Sequence, residues 1–178
     1  MTTATLTQQD ALTAHLVRDL DLTYEMVLTL MEGFTDETAR TAPDGQLPAL
    51  WYLGHLMCSK DYVAYLYGED GILTLDGQFY ADWSDDCAHV NFTDAPPLDE
   101  MLALYKGTHA RLRTVVENLT VEDLHRKTER EITAPLDAYW MERLSTLGWA
   151  LSLVQMHDAY HGGMLAALRQ RLDMSVPF

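Results

Sequence analysis

The chain has 178 residues, 48% of them hydrophobic, which is enough to bury the core of a single domain covering residues 1–178. Its 27 acidic and 12 basic residues give a formal net charge of −15, which argues against nucleic acid or an anionic membrane as a partner. With only two cysteines, no signal-peptide pattern and no apolar run of about 18 residues, we expect a cytoplasmic protein without disulfides or a spanning helix.

The first predicted helix begins at a cap on Thr7 and continues to about Glu32, where Gly33 ends it. Its apolar residues recur every three or four positions, as in a helix that packs on one side. They are Leu12, Leu16, Leu20, Val27 and Leu30. Tyr24 and Met26 fall outside this stripe, and apolar side chains on the outer face of a helix are compatible with a homodimer.

A short helical turn is predicted at 36–40, and the second long helix runs from about Pro48 to Tyr67. Residues 68–96 show no sustained periodicity. A connection of this length is unusual in a compact domain and often lines a binding site, so we expect it to form a wall or lid with Trp83 and Phe92.

The third long helix follows Pro96 and Pro97 and ends near Leu119, with apolar steps that alternate between three and four. A second short turn follows, and a short helix is predicted at 138–144. The last helix begins at a cap on Ser145 and extends to about residue 173. Strand signals are weak throughout. The sequence therefore predicts an all-α four-helix bundle with short extra helices in its connections.

The strongest functional signal lies in the last helix. Most of its apolar stripe is aliphatic, but the middle positions are Asp158 and His161, with His157 beside them. Polar groups at the centre of a bundle are costly unless they are paired or bind a metal ion. His157 and His161 are four residues apart on one helix face, so both can bind a single ion.

His55 in the second long helix is the candidate third ligand, which would leave one coordination position open, as in catalytic metal sites. Cys58 is an alternative ligand, although a cysteine in a helix is more often part of the core. His15, His109 and His125 have no partner at ligand spacing, and we expect them to face solvent.

Two motifs of the chain resemble the DinB/YfiT-like superfamily of four-helix bundles. The first is Trp51-Tyr52-Leu53-Gly54-His55-Leu56. The second, in the last helix, is His157-Asp158-Ala159-Tyr160-His161-Gly162-Gly163-Met164-Leu165 together with Leu168-Arg169-Gln170-Arg171. The resemblance implies that His55, His157 and His161 ligate a divalent metal ion. The superfamily commonly has a glutamine where this chain has Met164, so this chain lacks that amide.

The resemblance implies a metal-dependent enzyme acting on a small molecule, such as an S-transferase that uses a low-molecular-weight thiol like bacillithiol or mycothiol. Zinc is the default ion, and nickel, iron or copper also suit imidazole ligands. A hydrolase that uses metal-activated water is one alternative, and a non-catalytic stress-related bundle with a structural metal is another.

Asp158 is the candidate catalytic residue, either orienting an imidazole or accepting a proton. The alternative is a solvent-facing charge at the mouth of the pocket.

Overall fold

The computed structural model describes residues 8–43, 45–69, 95–131 and 138–178. Within these ranges the chain forms six α-helices and a 3₁₀ turn at Glu122–His125, without a β-strand. The long helices are α1 (Gln8–Met31), α3 (Ala49–Leu66), α4 (Leu98–Glu117) and α6 (Leu147–Arg171), and the short ones are α2 (Asp36–Ala39) and α5 (Ala138–Leu144). The predicted all-α bundle with short helices in its connections is confirmed.

Glycines end two of the long helices, as the sequence predicts. Gly33 follows α1 with φ +81° and Gly68 follows α3 with φ +102°, a left-handed conformation that is strained for residues with a Cβ. The start of α6 differs from the prediction, because Thr146 rather than Ser145 is the N-cap residue, and its side chain makes no capping hydrogen bond. The predicted cap at Thr7 lies outside the described residues.

Side-chain contacts define the directions of the four long helices. Helices α1 and α6 run parallel, because Thr23 contacts Asp158 and, further along both helices, the carbonyl of Leu30 accepts a hydrogen bond from Arg169. Helix α3 packs antiparallel on α6. Tyr67, the residue that follows α3, donates a hydrogen bond to the backbone carbonyl of Leu144, which lies shortly before α6.

Helix α4 packs antiparallel on α1. Tyr24 stacks on Tyr105, whereas Asp21, which precedes Tyr24 on α1, accepts a hydrogen bond from Arg113, which follows Tyr105 on α4. Helices α3 and α4 are therefore parallel neighbours. Parallel neighbours in a bundle require a long crossover connection, which accounts for the length of the segment between α3 and α4.

Two apolar clusters fill the bundle, one toward each end. The first contains Val27, Leu30, Leu53, Leu56, Met101, Leu165 and Leu168, and the second contains Leu20, Val63, Leu66, Leu112, Val115, Leu151 and Val154. On every long helix, polar side chains separate the two clusters. This polar layer consists of Asp21, Thr23, Lys60, Asp61, Thr108, His109, Arg111, His157, Asp158 and His161.

The expectation of exposed apolar residues on α1 is wrong for Tyr24 and Met26. Tyr24 stacks on His109 with ring centroids 3.8 Å apart, and Met26 is a half-buried neighbour of the first apolar cluster. These two residues therefore give no support to a homodimer. Among the helices of the described ranges, none combines the length and apolar character needed to cross a bilayer.

Candidate metal centre

Three imidazoles from two helices converge within the bundle. His55 lies on α3, and His157 and His161 lie one turn apart on α6. The Nε2 atom of His157 is 3.0 Å from Nε2 of His55 and 3.1 Å from Nε2 of His161. Ligand nitrogens of all three lie within 4.8 Å of one another, and no other group of three or more potential metal ligands is found in the described ranges. The antiparallel packing of α3 on α6 thus joins residues that are 102 positions apart.

The two separations between His157 and its partner imidazoles fit a common ion. Two nitrogens that each lie about 2.0–2.1 Å from a metal are about 2.9 Å apart at a right angle and about 3.3 Å apart at the tetrahedral angle. The observed separations of 3.0 and 3.1 Å lie between these values. A set of three imidazole nitrogens suits zinc and also nickel, copper and iron. The residues present therefore fit three ligands of a divalent metal ion.

Burial keeps two of these imidazoles neutral. Loss of hydration, together with the nearby His55, His161 and Lys60, lowers the pKa of His157 to about 2. Loss of hydration and the nearby His55 lower the pKa of His161 to about 4. Both rings are therefore unprotonated near neutral pH. Neutral imidazole is the form that ligates metals, so protons do not compete strongly for these two nitrogens.

Aromatic rings surround the three imidazoles. The Trp51 indole stacks on His55 with centroids 4.5 Å apart and lies edge-on to His161 at 5.7 Å. Tyr52 is 5.8 Å from the His161 ring, and Tyr160, which is 63% exposed, is 5.0 Å from it. Within the described residues, the rings in contact with the imidazoles are thus those of tryptophan and tyrosine. The sequence places Tyr52 on the same helix face as His55, but it did not predict the stacking of Trp51 on His55.

Asp158 lies in the polar layer beside the imidazoles. Its carboxylate has no exposed surface, so the alternative of a solvent-facing charge is wrong. It forms an ion pair with Lys60 and accepts a hydrogen bond from Thr23. In the described part of the chain, Asp158 makes no hydrogen bond to an imidazole. The buried Nδ1 atoms of His157 and His161 have no hydrogen-bond partner there either.

The remaining sequence candidates lie elsewhere. Cys58 is buried in the first apolar cluster, where loss of hydration raises the pKa of its thiol, and it does not belong to the ligand group. His109 does not face solvent as predicted, because it is only 5% exposed and bonds Asp21. Its partners come from α1, which the spacing within α4 could not reveal.

His15 and His125 are exposed, as expected. Met164, which stands where the superfamily commonly has glutamine, is half-buried and packs against the first apolar cluster. Trp83 and Phe92, the predicted wall of the site, lie outside the described residues.

The fold and this cluster define an all-α bundle with a triad of histidines capable of holding a metal ion. The model of the DinB superfamily matches residues 19–165, which include all three histidines, and the chain belongs to that superfamily. No curated protein matches the chain. A crystal structure of a Streptococcus pneumoniae protein from a structural genomics programme is similar at 12% identity and a TM-score of 0.48, covering 91% of this chain and 94% of that one.

Proposed function

We propose that this chain is a metal-dependent enzyme that joins a low-molecular-weight thiol to a small electrophilic molecule. His55, His157 and His161 would hold the metal, with zinc as the ion that their chemistry favours. The observation that carries the proposal is the convergence of three ring nitrogens, with separations of 3.0 and 3.1 Å, from two antiparallel helices.

A divalent ion at this site would act as a Lewis acid that lowers the pKa of a thiol or a water molecule. The three imidazoles would contribute no charge of their own, so the ion would keep its full positive charge for that task. Trp51 and Tyr52 would exclude water from one side of the centre, because both side chains are buried and their rings lie against the imidazoles. Tyr160, being exposed, would border the side that a substrate reaches.

The surroundings of the imidazoles favour a thiol over water as the nucleophile. Hydrolytic zinc sites commonly place a carboxylate beside the metal as a general base, as in the H-E-x-x-H motif. In the described part of this chain, the carboxylate closest in sequence to the histidines is Asp158, and it is buried against Lys60. A thiol is deprotonated more easily than water, because its pKa in solution is about 8.5, whereas that of water is about 15.7.

The first experiment is elemental analysis of the purified full-length protein beside a His157→Ala/His161→Ala variant. About one equivalent of metal per wild-type chain and almost none in the variant would support the site. A His15→Ala variant is the matched control, since His15 is an exposed histidine on α1. Equal metal contents in the wild-type protein and the double variant would overturn the assignment.

The second experiment separates the reactions. Wild-type protein loaded with zinc is incubated with monobromobimane and, in turn, bacillithiol, mycothiol, glutathione or no thiol, and the rate of conjugation is measured. The proposal expects one thiol to give turnover that chelation abolishes. Hydrolysis of an ester or amide panel without thiol would favour the hydrolase instead. Loss of thermal stability on chelation, without activity in either assay, would favour a structural metal.

A further inference from the structure

Lys60 and Asp158 form an ion pair at the centre of the bundle, and neither side chain has any exposed surface. Thr23 on α1 donates a hydrogen bond to the same carboxylate at 3.1 Å. The ring of Tyr105 on α4 lies beneath the Lys60 ammonium, with 5.3 Å between the nitrogen and the ring centroid. All four long helices therefore meet at this one ion pair.

A buried ion pair is a costly way to hold helices together. Each charge loses its hydration when it is buried, and well-packed apolar side chains of similar volume often stabilise a core equally well or better. This bundle already uses aliphatic packing on both sides of the polar layer. What a charged pair adds is a fixed register, because an ammonium and a carboxylate must meet in one position, whereas aliphatic side chains can slide and repack.

The ion pair joins the two helices that carry the imidazoles. On α6, Asp158 directly follows His157 and lies three residues before His161. On α3, Lys60 lies five residues after His55. A slip of α3 along α6 by one turn, about 5.4 Å, would separate His55 from the other two rings. The ion pair and the imidazoles therefore depend on the same register.

We infer that Lys60 and Asp158 are positioning residues of the metal centre, which hold α3 and α6 in the register that brings His55 to His157 and His161. The inference rests on the proposed metal-binding function. Asp158 acts here through Lys60 and helix position rather than by proton transfer, since its enclosed carboxylate already bonds an ammonium group. The pair is neutral as a whole, so it fixes geometry without altering the net charge beside the ion.

The two single variants separate geometry from electrostatics. Lys60→Met removes a positive charge beside the site, whereas Asp158→Asn removes a negative one, so the direct electrostatic effects of the two variants on a bound cation are opposite in sign. If the pair sets geometry, both variants weaken Co²⁺ binding by about 10- to 100-fold, as supporting residues of metal sites commonly do. If the pair acts only through its charge, the two affinities shift in opposite directions, which overturns the inference.

A Lys60→Met/Asp158→Leu double variant tests whether weaker Co²⁺ binding merely follows from unfolding, because this variant leaves no unpaired charge in the core. We expect it to retain its free energy of unfolding in urea, to bind Co²⁺ more weakly and to show an altered visible Co²⁺ spectrum. The matched control is Arg111→Met/Asp61→Leu, which removes an ion pair that α3 makes with α4. It should bind Co²⁺ as the wild type does.

Failure of this inference is distinguishable from failure of the proposed function. If wild-type protein takes up no Co²⁺, the metal site itself is refuted. If wild-type protein binds Co²⁺ and the Lys60→Met/Asp158→Leu variant binds it with unchanged affinity and spectrum, the positioning role is refuted. Equal weakening in the Arg111→Met/Asp61→Leu control would also overturn it, since the effect would then follow general destabilisation.

Discussion

Trp51 lies one helical turn before His55 on α3, and its indole stacks on the imidazole with centroids 4.5 Å apart and planes inclined by 14°. The indole is 4% exposed, so it fixes one face of the ring within the core. An imidazole held in this way has little rotational freedom to lose when it binds an ion. Trp51 therefore couples the packing of the first apolar cluster to the histidine triad.

Replacement of Trp51 should affect both stability and metal binding. We expect Trp51→Ala to lower the free energy of unfolding by about 3–5 kcal/mol, the usual cost of removing a buried aromatic side chain. Trp51→Phe retains a ring and should lose less of both properties. Urea unfolding and Co²⁺ titration measure the two effects.

Tryptophan emission offers a further readout of the same contact. Binding of Co²⁺ should quench the emission of the wild-type protein, and Trp51→Phe should remove most of that quenching. Trp149→Phe is the matched control, because Trp149 is 56% exposed and lies outside the ring contacts recorded for the triad. Equal quenching in wild-type protein and Trp51→Phe would contradict the predicted proximity of ion and indole.

Metal should stabilise the folded state. Because the three ligands meet only in the folded bundle, ions present at about 100 times their dissociation constant should add about 2.7 kcal/mol to the free energy of unfolding. Thermal unfolding with and without zinc measures this increment. The His157→Ala/His161→Ala variant should show none, and an equal increment in that variant would mean that zinc binds elsewhere.

The metal-free protein should lose stability as the pH falls below about 6.5. Unfolded histidines bind protons near their ordinary pKa of about 6.5, whereas the folded state holds the pKa of His161 at about 4 and that of His157 at about 2. The unfolded chain therefore takes up more protons, and each such histidine makes the free energy of unfolding fall by up to about 1.4 kcal/mol per pH unit.

Urea unfolding in chelator at pH 7, 6 and 5 tests this dependence. The slope should be shallower in the His157→Ala/His161→Ala variant, whose two titrating rings are gone. His125→Ala is the control, because it removes an exposed histidine that lies outside the triad. Identical slopes in wild-type protein and the double variant would refute the neutral, buried state of these rings.

Arg169 should be important for the junction of α1 with α6. Its guanidinium donates to the carbonyls of Leu30 and Glu32 at the end of α1 and to that of Ser175 after α6. Arg169→Met should lower the free energy of unfolding by about 2–4 kcal/mol, because these carbonyls lose a charged donor. Arg171→Met, at an exposed position two residues later, should change it little, and similar losses in both variants would contradict the assigned role.

The bounds of the helices could be predicted closely from sequence. The short helix at 138–144 is found over the predicted residues, and each long helix begins and ends within two residues of its prediction where the structure describes that end. Periodicity and glycine stops are local signals, which explains this success. The predicted N-cap of α6 lies one residue too early, because Ser145 and Thr146 are both suitable N-cap residues.

The meeting of the three histidines could also be anticipated, because His157 and His161 interrupt an aliphatic stripe and the resemblance supplied His55. Contacts across the bundle were harder to predict. Lys60 and Asp158 lie 98 residues apart, and no pattern within α3 shows that its lysine faces an aspartate on α6. His109 was misjudged for the same reason, since its partners Asp21 and Tyr24 belong to another helix.

The distance along the chain between His55 and His157 has a consequence for biosynthesis. Closing a loop of 102 residues carries an entropic cost that only the assembled bundle can offset. A nascent polypeptide that has emerged only as far as α4 contains one of the three histidines and lacks the other two. An ion that needs all three imidazoles could therefore bind only after translation has delivered the last helix, and a product truncated before α6 would lack the complete site.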